Sequence, residues 1–101
     1  MAYESGDLDI TLAAAAGDDE ALFAELRGAF LESLARQIDL LRRSRCDGNW
    51  QMAALRLRGL AASFHAAALV ELAEAALVSA PGEPGVVRHL QQFHDEFEAR
   101  T

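Results

Sequence analysis

Apolar residues recur at helical spacing through most of the 101-residue chain. The longest series, Leu22, Leu26, Phe30, Leu34, Ile38 and Leu41, advances by three or four positions and so gathers on one side of an α-helix. Asp18 and Asp19 precede it and supply an N-cap and negative charge at the positive end of the helix dipole. Arg42, Arg43 and Arg45 close it with the opposite charge, so the pattern predicts a long helix from about Asp19 to Arg43. Ahead of it, Leu8 and Leu12 predict a short helix over Asp7 to Ala16, stopped by Gly17. After it, Asp47, Gly48 and Asn49 read as a tight connection, with Asn49 the expected cap of a third helix from Trp50 to Phe64. Ala53, Leu57, Leu60, Ala61 and Phe64 form the core face of that helix. A fourth helix, Ala67 to Val78, turns Leu69, Leu72, Ala73, Ala76 and Leu77 inward and Glu71 and Glu74 outward. The run Ala80-Pro81-Gly82-Glu83-Pro84 breaks it. A last helix from about Gly85 to Ala99 carries Val86, Leu90, Phe93 and Phe97 along one stripe. Short connections between substantial helices predict an all-α fold: an antiparallel four-helix bundle with a short additional N-terminal helix, one domain over residues 1–101.

The side of the third helix that faces away from this core is unusual. Projection at about 100° per residue lines up Leu55, Gly59 and Ala62, flanked by Met52, Arg56, Arg58 and Ser63. A solvent face is ordinarily charged, whereas this one is small and apolar with an arginine rim. Gly59 within a helix costs about 1 kcal/mol relative to alanine, and a docking patch that needs close backbone approach would justify the cost.

Composition agrees with the helices and narrows the function. Alanine occurs 21 times, and all nine basic residues are arginine against sixteen acids, for a formal charge of −7. That balance disfavours nucleic acid and anionic membrane as partners. Five of the arginines fall between Arg42 and Arg58 against Asp47 alone, a basic stretch in an acidic chain that suits an acidic partner site. Cys46 is the one cysteine, which excludes an internal disulfide and a multi-cysteine zinc site and fits a reducing, cytoplasmic compartment. The acidic residues Glu4, Asp7 and Asp9 do not suit a signal peptide, and no apolar run is long enough for a membrane span.

Reactive groups are few. His89 and His94 project about 140° apart and cannot chelate one ion as an i, i+4 pair would; both are expected at or near the surface. The third histidine, His65, sits at a junction between helices. No nucleophilic triad spacing and no glycine-rich phosphate loop occurs, so neither an enzyme nor a cofactor or metal is expected.

The segment Ala54-Leu55-Arg56-Leu57-Arg58-Gly59-Leu60-Ala61-Ala62-Ser63-Phe64-His65-Ala66 resembles, without a gap, the core motif AHxLKGSAANLGA of histidine-containing phosphotransfer (HPt) domains, the helical-bundle carriers of bacterial and eukaryotic phosphorelays. Upstream, Gly17-Asp18, Leu22, Glu25-Leu26 and Phe30-Leu31 are similar to the family's GxDxxLxxELxxxFL stretch. Downstream, Leu69, Leu72 and Leu77 match its next helix, so the resemblance spans nearly the whole chain. It places Arg58 at the family's lysine and Gly59 at the glycine that clears space for a docking receiver domain. Leu55, however, stands where the family carries its phosphorylated histidine, and a leucine has no nucleophilic nitrogen. Leu60 at the serine and His65 at the helix-separating glycine are two further departures.

The resemblance implies a degenerate member of two-component signalling that docks a response-regulator receiver domain, or the histidine kinase that feeds it, through Leu55, Gly59 and Ala62. Met52, Arg56, Arg58 and Ser63 would flank that contact, and no phosphate would be accepted at Leu55. An active phosphocarrier using His65 is the alternative, although ten residues along a helix is a rise of about 15 Å and a turn of about 280° from Leu55. A self-associating bundle with its seam at Leu55 is the other, with a monomer expected over a homodimer.

Overall fold

Helix-forming segments separated by glycine, proline and capping residues give five helices in the computed structural model, which describes residues 3–100 and contains no strand among them. They are α1 (Gly6–Ala16), α2 (Glu20–Arg43), α3 (Asp47–Ser63), α4 (Ala67–Leu77) and α5 (Pro84–Ala99). None is long and apolar enough to cross a membrane.

Local chemistry sets most of the ends. Gly17 leaves α1 at φ 64°, ψ −132°, a conformation open essentially to glycine alone. The Asp19 carboxylate accepts a hydrogen bond from the Leu22 amide at 3.0 Å and starts α2. Pro84 occupies the first turn of α5, where its missing N–H is not needed, and Glu83 accepts from the Gly85 amide at 3.1 Å. The start of α3 differs from expectation. Asn49 does not cap this helix: it lies inside the first turn, which begins at Asp47 behind Cys46. Asp47 brings negative charge to the helix N-terminus, and the Trp50 amide closes the turn on the Cys46 carbonyl at 3.0 Å.

The end of α3 is a two-bond Schellman cap. The Ala66 amide donates to the Ala61 carbonyl at 2.9 Å and the His65 amide to the Ala62 carbonyl at 3.1 Å. Ala61 and Ala66 are both buried where the chain turns back. His65 takes φ 56°, the left-handed position at which such caps ordinarily carry glycine. The next helix lacks a capping side chain of its own, and Asp7 of α1 supplies one: its Oδ2 accepts from the Ala67 amide at 2.9 Å.

The buried core draws on all five helices, with Leu8 and Leu12 from α1, Phe30, Leu34, Ile38 and Leu41 from α2, Trp50 and Leu57 from α3, Leu69 from α4, and Leu90, Phe93 and Phe97 from α5. Contacts join α2 to α3, α3 to α4, α4 to α5 and α5 back to α2, while α1 packs on α2, a bundle-like arrangement. Trp50 is 1% exposed, and its indole N–H donates to the Ala76 carbonyl of α4 at 2.7 Å. Phe30 meets Phe64 and Phe97 edge-on at 5.0 and 5.9 Å between centroids. Arg27 lies 5.0 Å over the Phe97 ring and donates to the carbonyls of Glu98 and Arg100, complementing the negative end of α5. Leu22, by contrast with the rest of its series, is exposed. At 24 residues α2 is about 36 Å long against about 16 Å for α4, so its first turn is left with less cover.

Because His65 holds a glycine conformation, His65→Gly is expected to stabilise the fold by about 0.5–1 kcal/mol and His65→Val to destabilise it. Urea denaturation read by Trp50 fluorescence checks both.

Candidate functional site

Packing against α2 and α4 fixes which side of α3 is left free. Trp50, Ala53, Ala54, Leu57 and Ala61 are buried, and Leu60 and Phe64 are half-buried at the margin. The opposite sector holds Met52 at 54% and Leu55 at 46% exposure, together with exposed Arg56, Arg58, Gly59, Ala62 and Ser63. All seven residues singled out from the sequence thus lie on the solvent side of one helix. Met52, Leu55, Gly59 and Ala62 make a strip about 15 Å long, the rise of the helix from residue 52 to residue 62.

Polar groups around the strip divide into engaged and free. The Ser63 hydroxyl donates back to the Gly59 carbonyl at 2.8 Å. Arg43 pairs with Asp39 at 3.0 Å, Arg42 donates to Gln91 at 2.9 Å, and Arg45 to the Arg42 carbonyl at 3.4 Å. Neither Arg56 nor Arg58 has a hydrogen bond or ion pair among the described residues. The basic stretch therefore leaves two arginines uncommitted, both on α3 beside Leu55. Gly59 is equally uncommitted: a Cβ placed there meets nothing within 4 Å, so no packing contact explains the glycine. Gly28 on α2 is open in the same way but has no apolar strip around it of this kind.

One contributor escapes the one-helix projection. Leu40 of α2 is 38% exposed and shares with Met52, Ala53, Arg43 and Arg56 a cleft of about 400 Å³ between α2 and α3. The adjacent pair Leu40-Leu41 is no signal by itself, because neighbours about 100° apart on a helix can both be buried, as Phe30 and Leu31 are on the same helix.

The histidines are dispersed. His65 is exposed beyond the end of α3, on a shallow cleft with Ala62, Val70 and Glu71, and meets the strip only at its Ala62 end. His89 is exposed, as expected, whereas His94 is buried at 9% exposure. Its position explains this: Leu90, Phe93, His94 and Phe97 follow i, i+3, i+4, i+7 along the inner stripe of α5. His94 Nδ1 meets Asp95 Oδ1 at 3.0 Å, and Gln91 Nε2 donates to the same oxygen at 3.0 Å. The hydrogen bond with His94, then that from Gln91, holds the Asp95 carboxyl below its ordinary range against a small opposing effect of burial. His94, Asp95 and Glu98 also place one ligand atom each within 4.8 Å of one another, so these three would hold a cation if any group among the described residues did.

Comparison of the chain with known proteins finds no matching family model, no matching curated protein and no matching solved structure.

Two outcomes follow from these contacts. Gly59→Ala fills open space on a helix and is expected to stabilise the fold by about 0.5–1 kcal/mol, measured by urea denaturation. The depressed folded-state value at Asp95 means its contribution to stability is present above the unfolded carboxylate range and lost as pH falls through the folded value. In His94→Leu the Asp95 carboxyl titration, followed by NMR, is expected to move up toward the ordinary value.

Proposed function

We propose that the chain is an HPt-like protein that docks a receiver domain, or the kinase feeding one, without accepting phosphate at the family's usual position. In this reading the five helices are an antiparallel four-helix bundle, α2 to α5, with α1 as a leading helix. The return of contacts from α5 to α2 and the short α2–α3 and α3–α4 connections support that arrangement.

The observation that carries the function is Leu55. In the gap-free alignment it holds the phospho-histidine position, and in the fold it is half-exposed at the middle of a helix face. An acceptor histidine there would face solvent, and so does the leucine that replaces it. Gly59 stands one turn further on with open space above it, as a close-docking partner requires. The free guanidinium groups of Arg56 and Arg58 suit a partner surface rich in carboxylates, and their effect falls mainly on the encounter rate and its orientation. Leu55 is already about half covered, so burying the rest of it contributes about 1 kcal/mol, enough to matter in a small transient interface. Phosphoryl transfer at this position is closed, because leucine offers no lone pair to attack phosphorus.

The test uses a panel of receiver domains with binding read by calorimetry. Leu55→Asp and Gly59→Ala are each expected to weaken binding by about tenfold or more, the second while raising thermal stability. Incubation with phosphorylated receivers is expected to leave the parent unlabelled and to give Leu55→His an acid-labile phosphate. Undiminished binding by Leu55→Asp overturns the docking face. Label on the parent that disappears in His65→Gln identifies a phosphocarrier at His65 instead, and a concentration-dependent dimer lost in Leu55→Asp identifies a self-associating bundle.

A further inference from the structure

Six large apolar side chains are exposed among the described residues, and three of them, Leu40, Met52 and Leu55, collect at one place. Leu40 and Met52 are opposite walls of the α2–α3 cleft, and Leu55 is one turn beyond Met52 on α3. The other three, Ile10, Leu22 and Val78, are scattered over α1, the first turn of α2 and the end of α4.

The polar atoms of the cleft make few demands on an occupant. The Ser44 hydroxyl is satisfied by the Leu40 carbonyl at 2.8 Å, and Arg43 by Asp39. Arg56 on the rim and the Asn49 side chain have no partner among the described residues, which leaves one positive group and one neutral amide beside the apolar lining of Leu40, Met52 and Ala53. We infer that the α2–α3 cleft is the anchor socket of the docking surface, taking one large apolar side chain from an acidic helical segment of a partner protein, with a carboxylate of that segment on Arg56. The inference rests on the proposed function in taking this side of α3 as a docking face, and adds α2 to it through Leu40.

Charge and area select this occupant over a second copy. The stretch from Arg42 to Arg58 is basic in a chain of net charge −7, so the same stretch of a second copy would meet it with like charge across a two-fold interface. The apolar strip, about 15 Å by about 10 Å, is well short of the roughly 800 Å² per partner of a stable interface. A transient contact with one buried anchor fits that size, because a few central side chains carry most of the binding energy of small interfaces. An amphipathic helix laid in a groove delivers such an anchor and can present acids on both sides of it.

The probe is a synthetic acidic amphipathic helical peptide with a single phenylalanine at the centre of its apolar face, titrated into the full chain with methyl groups observed by NMR. The phenylalanine peptide is expected to shift the Met52 and Leu40 methyl signals at peptide concentrations up to about 1 mM. Binding is expected to weaken about tenfold in the peptide's Phe→Ala control, in Leu40→Ala and in Arg56→Glu. Unmoved Leu40 and Met52 signals, or equal binding by Leu40→Ala, overturn the socket. Shifts that grow with protein concentration in the absence of peptide overturn it in favour of a second copy. Peptide in the cleft with no receiver bound leaves the socket standing and the receiver assignment refuted. Receiver binding insensitive to Leu40→Ala, with an unmoved peptide titration, does the reverse.

Discussion

The rotation of α3 about its own axis decides what this protein shows its surroundings, and Trp50 fixes that rotation. Its indole is buried and its one hydrogen-bond donor reaches a backbone carbonyl of α4, so neither turning nor sliding of the helix is possible without leaving a buried N–H unpaired. Ala53, Ala54, Leu57 and Ala61 then pack beneath it, and small alanines let the neighbouring helices approach closely. Everything on the far side follows by helical geometry: once Trp50 points in, Leu55 and Gly59 point out.

The cap at the end of α3 works to the same end. Ala66 and His65 satisfy the last carbonyls, and the left-handed residue between the helices sends the chain straight back into α4. The α3–α4 pair is therefore fixed at one end by the indole and at the other by the cap. Asp7 adds a third restraint from a distant part of the sequence, since it holds the first amide of α4. The free face is carried by a pair of helices restrained at both ends, so the cost of the docking proposed for it would fall on side chains rather than on backbone ordering.

Much of this was legible in the sequence, and the failures have specific causes. Helical periodicity and the breakers at Gly17 and around Pro81 located the helices because both signals are local. Asp47-Gly48-Asn49 read as a turn by composition, but the requirement to bury Trp50 in the first turn drew all three into α3. His94 read as a surface residue by type, yet it lies on the inner stripe of α5 between Phe93 and Phe97 and is buried by position. The strip on α3 was visible because one helix defines it. Leu40 was not, because the cleft it lines exists only where two helices meet. The freedom of Arg56 and Arg58 was equally invisible, since spacing alone does not distinguish a committed arginine from a spare one.

The chain's first and last described segments are tied to each other. Arg100 pairs with Asp9 at 3.1 Å and hydrogen-bonds Ser5, and the Tyr3 amide donates to Glu96 at 3.0 Å. Arg27 receives the end of α5 at the same pole, whereas Leu40 lies thirteen residues further along α2, about 20 Å away. A domain joined at either end would therefore leave from one place and would need only a short linker to reach the strip on α3. Tethering on that scale raises the local concentration of a fused partner to the millimolar range. A face too small to hold a free partner for long would, in that setting, be occupied for a substantial share of the time.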